Sequence, residues 1–437
     1  MPAADPAADP LAQLLAGRYP DPETGELLHA EARAVVIEDS LDGDEAELVA
    51  SVGLGPRLAV ISDVDTATAL GRRVERALAA RFTVQGIVLD RAPRTDVETV
   101  ARLVDALAPG TDGVVAVGAG TINDLAKLVA HARGVPQVVF ATAPSMNGYT
   151  SVSASVLDGG VKRSVRTATP VGAFFDLRVL EAAPPRLIRA GLGDSVCRST
   201  AQVDWLLAHL LLDRPYREAP FDLLNADEAA LLADSRALLA GDGEAMGHLV
   251  RTLVLSGFGM TICGGSYPAS QGEHLLAHYV TMMRPPGAVE ALHGEQIGVC
   301  TLLMAGLQDA VIARAAPPVF RPSQVQRDDV LRRFGADAGE HCWQELAPKL
   351  LDRRSADELN ARVERDWTAI RERLARASLG ARRVGQVLEA AGAPVDPSAL
   401  GWPDALVDDA RRHAREIRNR YTFLDLVADA SISFTSA

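Results

Sequence analysis

A series of short apolar runs, alternating with helix-like segments, most constrains how this chain can fold. Five runs rich in β-branched residues follow one another, at Ala34–Ile37, Leu58–Ser62, Thr83–Leu89, Gly113–Val117 and Gln137–Ala141. The segments between them, such as Asp65–Ala80 and Asp96–Ala108, have the apolar spacing of amphipathic helices. This alternation predicts a parallel sheet covered by helices, in a doubly wound α/β domain.

The pattern changes after the fifth run. Ser151–Thr169 predicts a hairpin or irregular strands, and Ala173–Asp176 is suited to return to the sheet. From Pro184 onward helical patterns dominate, so an all-α domain is expected there. We therefore predict an irregular arm with one short helix over residues 1–29, the α/β domain over 30–183 and a helical domain over 184–437.

The composition is that of a soluble protein with ample core, since 48% of the 437 residues are hydrophobic. This length predicts two domains. No apolar run is long enough to cross a bilayer, and the N-terminus lacks the basic segment of an export signal. The net charge of −13 argues against nucleic acid or an anionic membrane as partner. Four scattered cysteines without CxxC spacing suit a reduced, cytoplasmic protein.

Three of the nine histidines lie between Gly264 and Gly298. His274 and His278 are four residues apart, so on a helix they share one face. His293 follows a Pro-Pro-Gly break, where the next helix is expected to start. Neutral imidazole is a common ligand for divalent metals, and a catalytic site needs a third ligand and an open position. Each histidine alone is equally consistent with packing, but three together favour a metal site.

A glycine-rich turn, GAGTINDLAK (118–127), follows the fourth predicted strand. Glycine lets a ligand approach the backbone closely, and the N-terminus of the following helix offers N–H groups to a phosphate. The motif lacks the third glycine of the usual dinucleotide fingerprint, so a plain strand-to-helix turn explains it equally well. Lys127 on this helix faces either the site or solvent.

A second polar loop, TAPSMNGYTS (142–151), follows the fifth strand. Because ligands bind beyond the carboxyl ends of parallel strands, we expect both loops at the same edge of the sheet. Their hydroxyl groups suit a ribose, phosphate or polyol, although an Asn-Gly turn with capping hydroxyls is the alternative. A third motif, GLGD (191–194), precedes the helix predicted over Ser195–Leu211. Asp194 is either its N-cap or an anionic metal ligand.

Together these motifs resemble the sn-glycerol-1-phosphate dehydrogenases, in the superfamily of dehydroquinate synthases and iron-containing alcohol dehydrogenases. The resemblance covers roughly Ala34–Leu307 and rests on five blocks in matching order and spacing, namely GAGTINDLAK (118–127), TAPSMNGYTS (142–151), GLGD (191–194), GEHLLAH (272–278) and LHGEQIG (292–298). It implies a dehydroquinate synthase-like fold, in which an NAD(P)-binding α/β domain precedes an all-α domain that binds metal and substrate.

The resemblance also implies site residues. Asp194, His274 and His293 would hold one divalent metal, zinc with nickel or iron as alternatives. Asp194 and His278 would be catalytic and would contact the substrate together with Asn147. The residues implied to bind NAD(P) belong to the two loops and are Gly118, Ala119, Gly120, Thr121, Ile122, Thr142, Ala143, Pro144, Ser145 and Ser151.

Asn147 departs from the family pattern, which has an acidic residue at this position. Asparagine keeps the shape and the hydrogen bonding of an acid but cannot accept a proton. The departure therefore weakens the implied assignment of the substrate more than the implied fold or cofactor.

The implied reaction interconverts sn-glycerol 1-phosphate and dihydroxyacetone phosphate, in a cytoplasmic homo-oligomer that binds a small phosphorylated polyol and neither nucleic acid nor membrane. A dehydrogenase of another polyol or alcohol is one alternative. A sugar-phosphate cyclase, a lyase that uses NAD transiently, is another, and the scarcity of lysine near the site speaks against it. A non-catalytic metal- or nucleotide-binding protein is the third, and the retention of every metal position speaks against that.

Overall fold

The computed structural model describes residues 9–158, 161–285, 288 and 291–432. They form two compact units. The first contains the described residues up to Ser195 together with Glu218–Gly265, and the second contains Val196–Arg217 and the described residues from Ser266 onward. The division into a cofactor-binding and a metal-binding domain at residues 183 and 184 stays a prediction.

The segment predicted as an arm contains the expected short helix, Pro10–Leu15, and residues 1–8 lie outside the described residues. Asp9 caps this helix, and Leu11 and Leu14 are buried. The segment continues into two short antiparallel strands, β1 (Tyr19–Pro20) and β2 (Leu27–Leu28). It is therefore more ordered than the irregular arm that the sequence predicts.

A six-stranded parallel sheet forms the centre of the first unit. The remaining strands in chain order are β3 (Ala34–Glu38), β4 (Arg57–Asp63), β5 (Thr83–Leu89), β6 (Gly113–Gly118), β7 (Gln137–Ala141), β8 (Ser153–Asp158), β9 (Val161–Arg166) and β10 (Gly172–Asp176). The sheet has the order β3-β10-β7-β6-β4-β5, and β8 and β9 form a separate antiparallel hairpin. All five predicted strands, the predicted hairpin and the return of Ala173–Asp176 to the sheet are confirmed.

The middle of the sheet is buried on both faces. Every residue of β6, β7 and β10 is buried, which is why these strands are short runs of valine, alanine and phenylalanine rather than alternating patterns. β4 leads to β5 on one side and β6 leads to β7 on the other, so the strand order reverses between β4 and β6. Ligands bind at such a reversal in open α/β sheets.

Helices complete the first unit. Its α-helices after the arm are Glu45–Ser51, Val64–Thr66, Arg72–Ala79, Val97–Ala106, Gly120–Arg133, Leu177–Glu181, Pro185–Val196, Ala219–Asp222, Asn225–Ala233 and Gly243–Ile262, and a π-helical turn, Ala67–Gly71, joins the second to the third. The expectation that no apolar run could cross a bilayer is wrong by length and composition, because helix Gly243–Ile262 is long and apolar enough, yet 78% of its apolar window is buried inside the structure. Such burial is typical of a core helix in a soluble protein.

One helix boundary differs from the prediction. Asp194 does not cap a helix over Ser195–Leu211, because it lies inside helix Pro185–Val196, and the next helix starts at Arg198. Gly191 lies inside the same helix, where it allows close packing. A Cβ atom there would lie 1.6 Å from the carbonyl oxygen of Pro144.

The second unit is helical, as predicted, and no strand occurs among its described residues. Its α-helices are Arg198–Leu212, Gly272–Met283, His293–Ile312, Arg327–Phe334, Ala336–Leu346, Arg353–Ala377, Ala381–Ala390, Asp404–His413 and Phe423–Asp429. Helix Arg353–Ala377 buries one stripe, and its charged residues form the opposite, solvated face. The buried side chains of this stripe recur every three or four residues and are Leu359, Val363, Trp367, Ile370 and Leu374.

We predict that Phe140→Ala destabilises the first unit by about 3–5 kcal/mol, because it leaves a cavity in the middle of the sheet. The Phe140 ring is fully buried and packs against Phe174 with centroids 4.9 Å apart. Chemical denaturation followed by fluorescence or circular dichroism measures the change. Val88→Ala, on the exposed face of β5, is the control. Equal shifts for the two variants would contradict the burial of Phe140.

Candidate functional site

Three histidines meet in the second unit. His274 and His278 lie on helix Gly272–Met283, one turn apart, and His293 is the first residue of helix His293–Ile312. The ring centroids are 5.3 Å apart for His274 and His293, 5.8 Å for His274 and His278, and 6.0 Å for His278 and His293. A ring nitrogen of His274 and one of His293 lie within 4.8 Å of each other. The three imidazoles therefore lie close together, and their role as a metal site stays a prediction.

A buried glutamate fixes the orientation of His274. Glu273 Oε1 lies 2.9 Å from His274 Nδ1 and also accepts the backbone N–H of Gln271 at 2.7 Å. Its second oxygen accepts the hydroxyl of Thr200 at 3.1 Å. Burial alone would raise the pKa of Glu273, but the hydrogen bond to His274 and the backbone N–H groups outweigh burial and lower it. A carboxylate on Nδ1 is the usual partner of a histidine whose Nε2 binds a metal.

A second buried carboxylate holds the start of the same helix. Asp204 Oδ2 accepts the backbone N–H of Gly272 at 2.9 Å, and Oδ1 accepts that of Phe423 at 3.0 Å. Burial first, and the charge of Glu273 second, raise the pKa of Asp204 to about 8. The histidine-bearing helix thus begins at a fixed position in the second unit.

Asp194 belongs to the first unit and is buried. Its Oδ2 accepts the backbone N–H of Asn147 at 2.8 Å. The interaction fixes the carboxylate to the loop that contains Asn147. Asn147 thus positions Asp194 through its backbone, whichever side chain it carries.

The ammonium group of Lys127 is hydrogen-bonded to the loop Thr142–Ser151. Lys127 Nζ donates to the carbonyl oxygens of Gly148 at 2.6 Å, Ser151 at 2.8 Å and Ser153 at 3.3 Å. The side chain is 2% exposed, and burial lowers the pKa of Lys127 to about 8. Lys127 therefore faces neither solvent nor open site, the two positions that the sequence left open.

Two glycines bring helix backbones against this loop. A Cβ at Gly257 would lie 2.2 Å from Thr150 Oγ1, just as one at Gly191 would meet Pro144. Thr150 Oγ1 donates to the carbonyl of Val254 at 2.7 Å. The polar loop and two packed helices are therefore joined by close backbone contacts within the first unit.

The glycine-rich turn lies beside this loop. Gly118 pairs with Ala141 in the sheet register, and Thr142 N donates to Gly118 O at 3.2 Å. The two loops thus start at the same edge of the sheet, as predicted. Helix Gly120–Arg133 begins there with Ala119 as N-cap, which offers no side-chain acceptor to the first N–H groups. Those donors suit an anionic group of a ligand.

The predicted cofactor residues differ in exposure. Thr121 is exposed and Ala119, Gly120 and Ser145 are partly buried, whereas Ile122, Thr142, Ala143, Pro144 and Ser151 are buried. Sequence reasoning missed Glu273 and the true role of Lys127. The adjacency of a glutamate to a candidate ligand in GEH was a usable signal for Glu273. Nothing in the sequence shows that the carbonyl groups of a distant loop surround Lys127.

Comparison with known proteins assigns the family. The sequence model of iron-containing alcohol dehydrogenases matches residues 36–184. A glycerol-1-phosphate dehydrogenase [NAD(P)+] of Thermococcus kodakarensis is 33% identical over 276 residues, which cover 63% of this chain and 77% of that protein. The chain belongs to the glycerol-1-phosphate dehydrogenase family. The family member of the same name from Bacillus velezensis is 28% identical over 390 residues, 86% of each chain.

Solved structures agree with this family in fold. Glycerol dehydrogenase of Schizosaccharomyces pombe has a TM-score of 0.62 at 16% identity and covers 93% of this chain and 90% of its own. An iron-containing alcohol dehydrogenase of Corynebacterium glutamicum has a TM-score of 0.59 at 12% identity, over 92% of this chain and 96% of its own. The predicted combination of a parallel α/β domain and a helical C-terminal part is thereby confirmed.

We predict that Lys127→Met destabilises the first unit by about 2–4 kcal/mol, because it leaves buried carbonyl groups without their donor. The pH dependence gives a second readout. Between pH 8 and the ordinary lysine pKa, the folded chain has released a proton that the unfolded chain keeps. Unfolding takes up that proton, so the wild type gains stability relative to the variant as pH rises through this range.

Urea titrations at several pH values measure this difference. Arg133→Met, at the exposed end of the same helix, is the control and should change stability by less than about 0.5 kcal/mol. A difference between wild type and Lys127→Met that is constant from pH 7 to 11 would show that the ammonium group titrates normally.

Proposed function

We propose that this protein is a metal-dependent, NAD(P)-linked dehydrogenase that interconverts sn-glycerol 1-phosphate and dihydroxyacetone phosphate. The observation that carries the proposal is the Glu273-oriented His274 beside His293 and His278, in a member of the glycerol-1-phosphate dehydrogenase family. Three imidazoles that lie close together on two helices are well placed to bind a metal or a substrate.

We assign the metal to Asp194, His274 and His293, with zinc as the first choice and nickel or iron as alternatives. The donor set fits, because one carboxylate and two neutral imidazoles leave an open position on a four-coordinate ion. Glu273 on Nδ1 leaves Nε2 of His274 to coordinate the ion. Asp194 accepts the backbone N–H of Asn147 through Oδ2 and lies in helix Pro185–Val196 of the first unit.

We assign the pyrophosphate of NAD(P) to the start of helix Gly120–Arg133. Its N–H groups lack a side-chain cap, and the side chains of Ala119, Gly120 and Thr121 are small. The neighbouring loop completes the cofactor site with Thr142, Ala143, Pro144, Ser145 and Ser151. Several of these side chains are buried, so they would act mainly by shaping the backbone that faces the cofactor.

A bound metal would supply a Lewis acid for the reacting oxygen, and bound NAD(P) would supply or accept the hydride. The chain itself would then orient the substrate and handle one proton. Asn147 cannot accept a proton, so this task falls to His278, whose ring is 5.8 Å from that of His274 and which remains partly exposed. Asn147 retains the capacity to hydrogen-bond a substrate hydroxyl.

We propose a cytoplasmic homo-oligomer that acts on a small molecule and binds neither nucleic acid nor membrane. The net charge of −13 supports this proposal, because polyanions repel an acidic surface. The extensive burial of helix Gly243–Ile262 supports it as well.

Substrate specificity tests the assignment. We expect metal-reconstituted protein to oxidise NADH or NADPH with dihydroxyacetone phosphate, and at most weakly with dihydroxyacetone. Absorbance at the nicotinamide band measures net cofactor turnover. Activity confined to unphosphorylated substrates would contradict the proposed substrate but not the proposed dehydrogenase activity. Product formation from a sugar phosphate without net cofactor turnover would indicate a cyclase.

We predict that His293→Ala lowers both bound metal and turnover by at least about 100-fold, because it removes one of three ligands. Elemental analysis of purified protein and initial rates measure the two effects. His341→Ala removes an exposed histidine of the same unit and should change neither. Full turnover by metal-free His293→Ala protein would show that the reaction does not need the metal.

A further inference from the structure

Two arginines of the second unit form a positively charged pair. Arg418 and Arg420 follow the short helical turn Ala414–Ile417, and neither forms an ion pair within the described part of the chain. The nearby Arg415, by contrast, is buried against Asp425 and Asp429. Both side chains are partly buried, and partial desolvation of a charge has a free-energy cost that hydrogen bonds or an anion can offset.

Neutral groups hold Arg420 in place. Its Nη1 donates to Ser266 O at 3.2 Å, its Nη2 donates to Ser266 Oγ at 2.8 Å, and the guanidinium carbon lies 4.8 Å from the centre of the Tyr267 ring. These contacts use two of the five guanidinium N–H groups. The planar cation is thus oriented, and its other three N–H donors form no hydrogen bond within the described residues.

The surroundings favour an anion. Burial, and then the charge of Arg418, lower the pKa of Arg420 to about 9, and burial lowers the pKa of Arg418 as well. Tyr267, Glu273 and Glu345 oppose this effect, and the pKa of Arg420 is lowered nonetheless. A phosphate bound by Arg420 would offset this positive charge and could accept several hydrogen bonds at once.

The pair is connected to the histidines through one loop. Tyr267, on which Arg420 lies, accepts the side-chain amide of Gln271 at 2.9 Å through its carbonyl oxygen. The backbone N–H of Gln271 binds Glu273, the carboxylate that orients His274. A group bound at Arg420 therefore lies at the end of the loop that leads into the histidine-bearing helix.

We propose that Arg420, assisted by Arg418 and Ser266, binds the phosphate group of the substrate and so selects a phosphorylated polyol over a free one. This inference rests on the proposed function and adds the residues that would carry its substrate specificity. Free inorganic phosphate has the same chemistry, so it is expected to occupy the same position as a competitive inhibitor.

Arg420→Gln and Arg418→Gln test the proposal. For Arg420→Gln we expect the KM for dihydroxyacetone phosphate to rise about 10- to 100-fold, the range for a lost charged hydrogen bond. The rate with unphosphorylated dihydroxyacetone and the KM for NADH should change less than about twofold, and inhibition by inorganic phosphate should weaken in parallel. Arg412→Gln, on the exposed side of the preceding helix, is the control.

Equal losses with phosphorylated and free substrate would overturn the proposal, since they would indicate a purely structural role. Arg420→Lys keeps the charge and should recover part of the affinity if Arg420→Gln folds poorly. Calorimetry with inorganic phosphate separates this inference from the proposed function. Phosphate binding that is lost in Arg420→Gln would support the anion site even if wild-type protein did not turn over polyol phosphates, whereas wild-type protein that binds no phosphate would contradict it.

Discussion

The candidate site depends first on one buried cation. The Lys127 ammonium group lies under the loop Thr142–Ser151 and satisfies carbonyl groups that would otherwise be buried without donors. Because those carbonyls converge on it, the loop has little freedom to move relative to helix Gly120–Arg133. The glycine contacts at Gly191 and Gly257 act in the same direction, since they let two helix backbones close against the loop.

In the second unit, buried anions rather than a cation fix the residues of the candidate site. Glu273 is fully buried, yet its oxygens receive hydrogen bonds from Gln271, Thr200 and His274, so its charge is compensated by fixed dipoles. Asp204 anchors the first turn of the same helix. In both units, buried charged groups that would not contact the ligand thus hold the residues that would. Such support fixes the geometry of a site before a ligand binds.

Much of the fold was predictable from sequence, because buried parallel strands leave apolar runs that short-range patterns detect. The meeting of the three histidines was predictable for a similar reason, since His274 and His278 share a helix face and His293 opens the next helix. Strand order was not, because it depends on tertiary packing. The helix boundary predicted at Asp194 was wrong, because an aspartate suits an N-cap but here lies inside helix Pro185–Val196, which continues through Gly191. The reason for that glycine is a contact with Pro144, which is distant in sequence and leaves no local signal.

The route of the chain has a consequence for engineering. It leaves the first unit after Ser195, returns at Glu218 and leaves again after Gly265. No single cut therefore yields two intact halves, and a truncation near any of these three crossings would remove part of one unit. To exchange one unit with that of a relative, two separate stretches of the chain would have to be replaced at once. We therefore expect the two units to be inherited together.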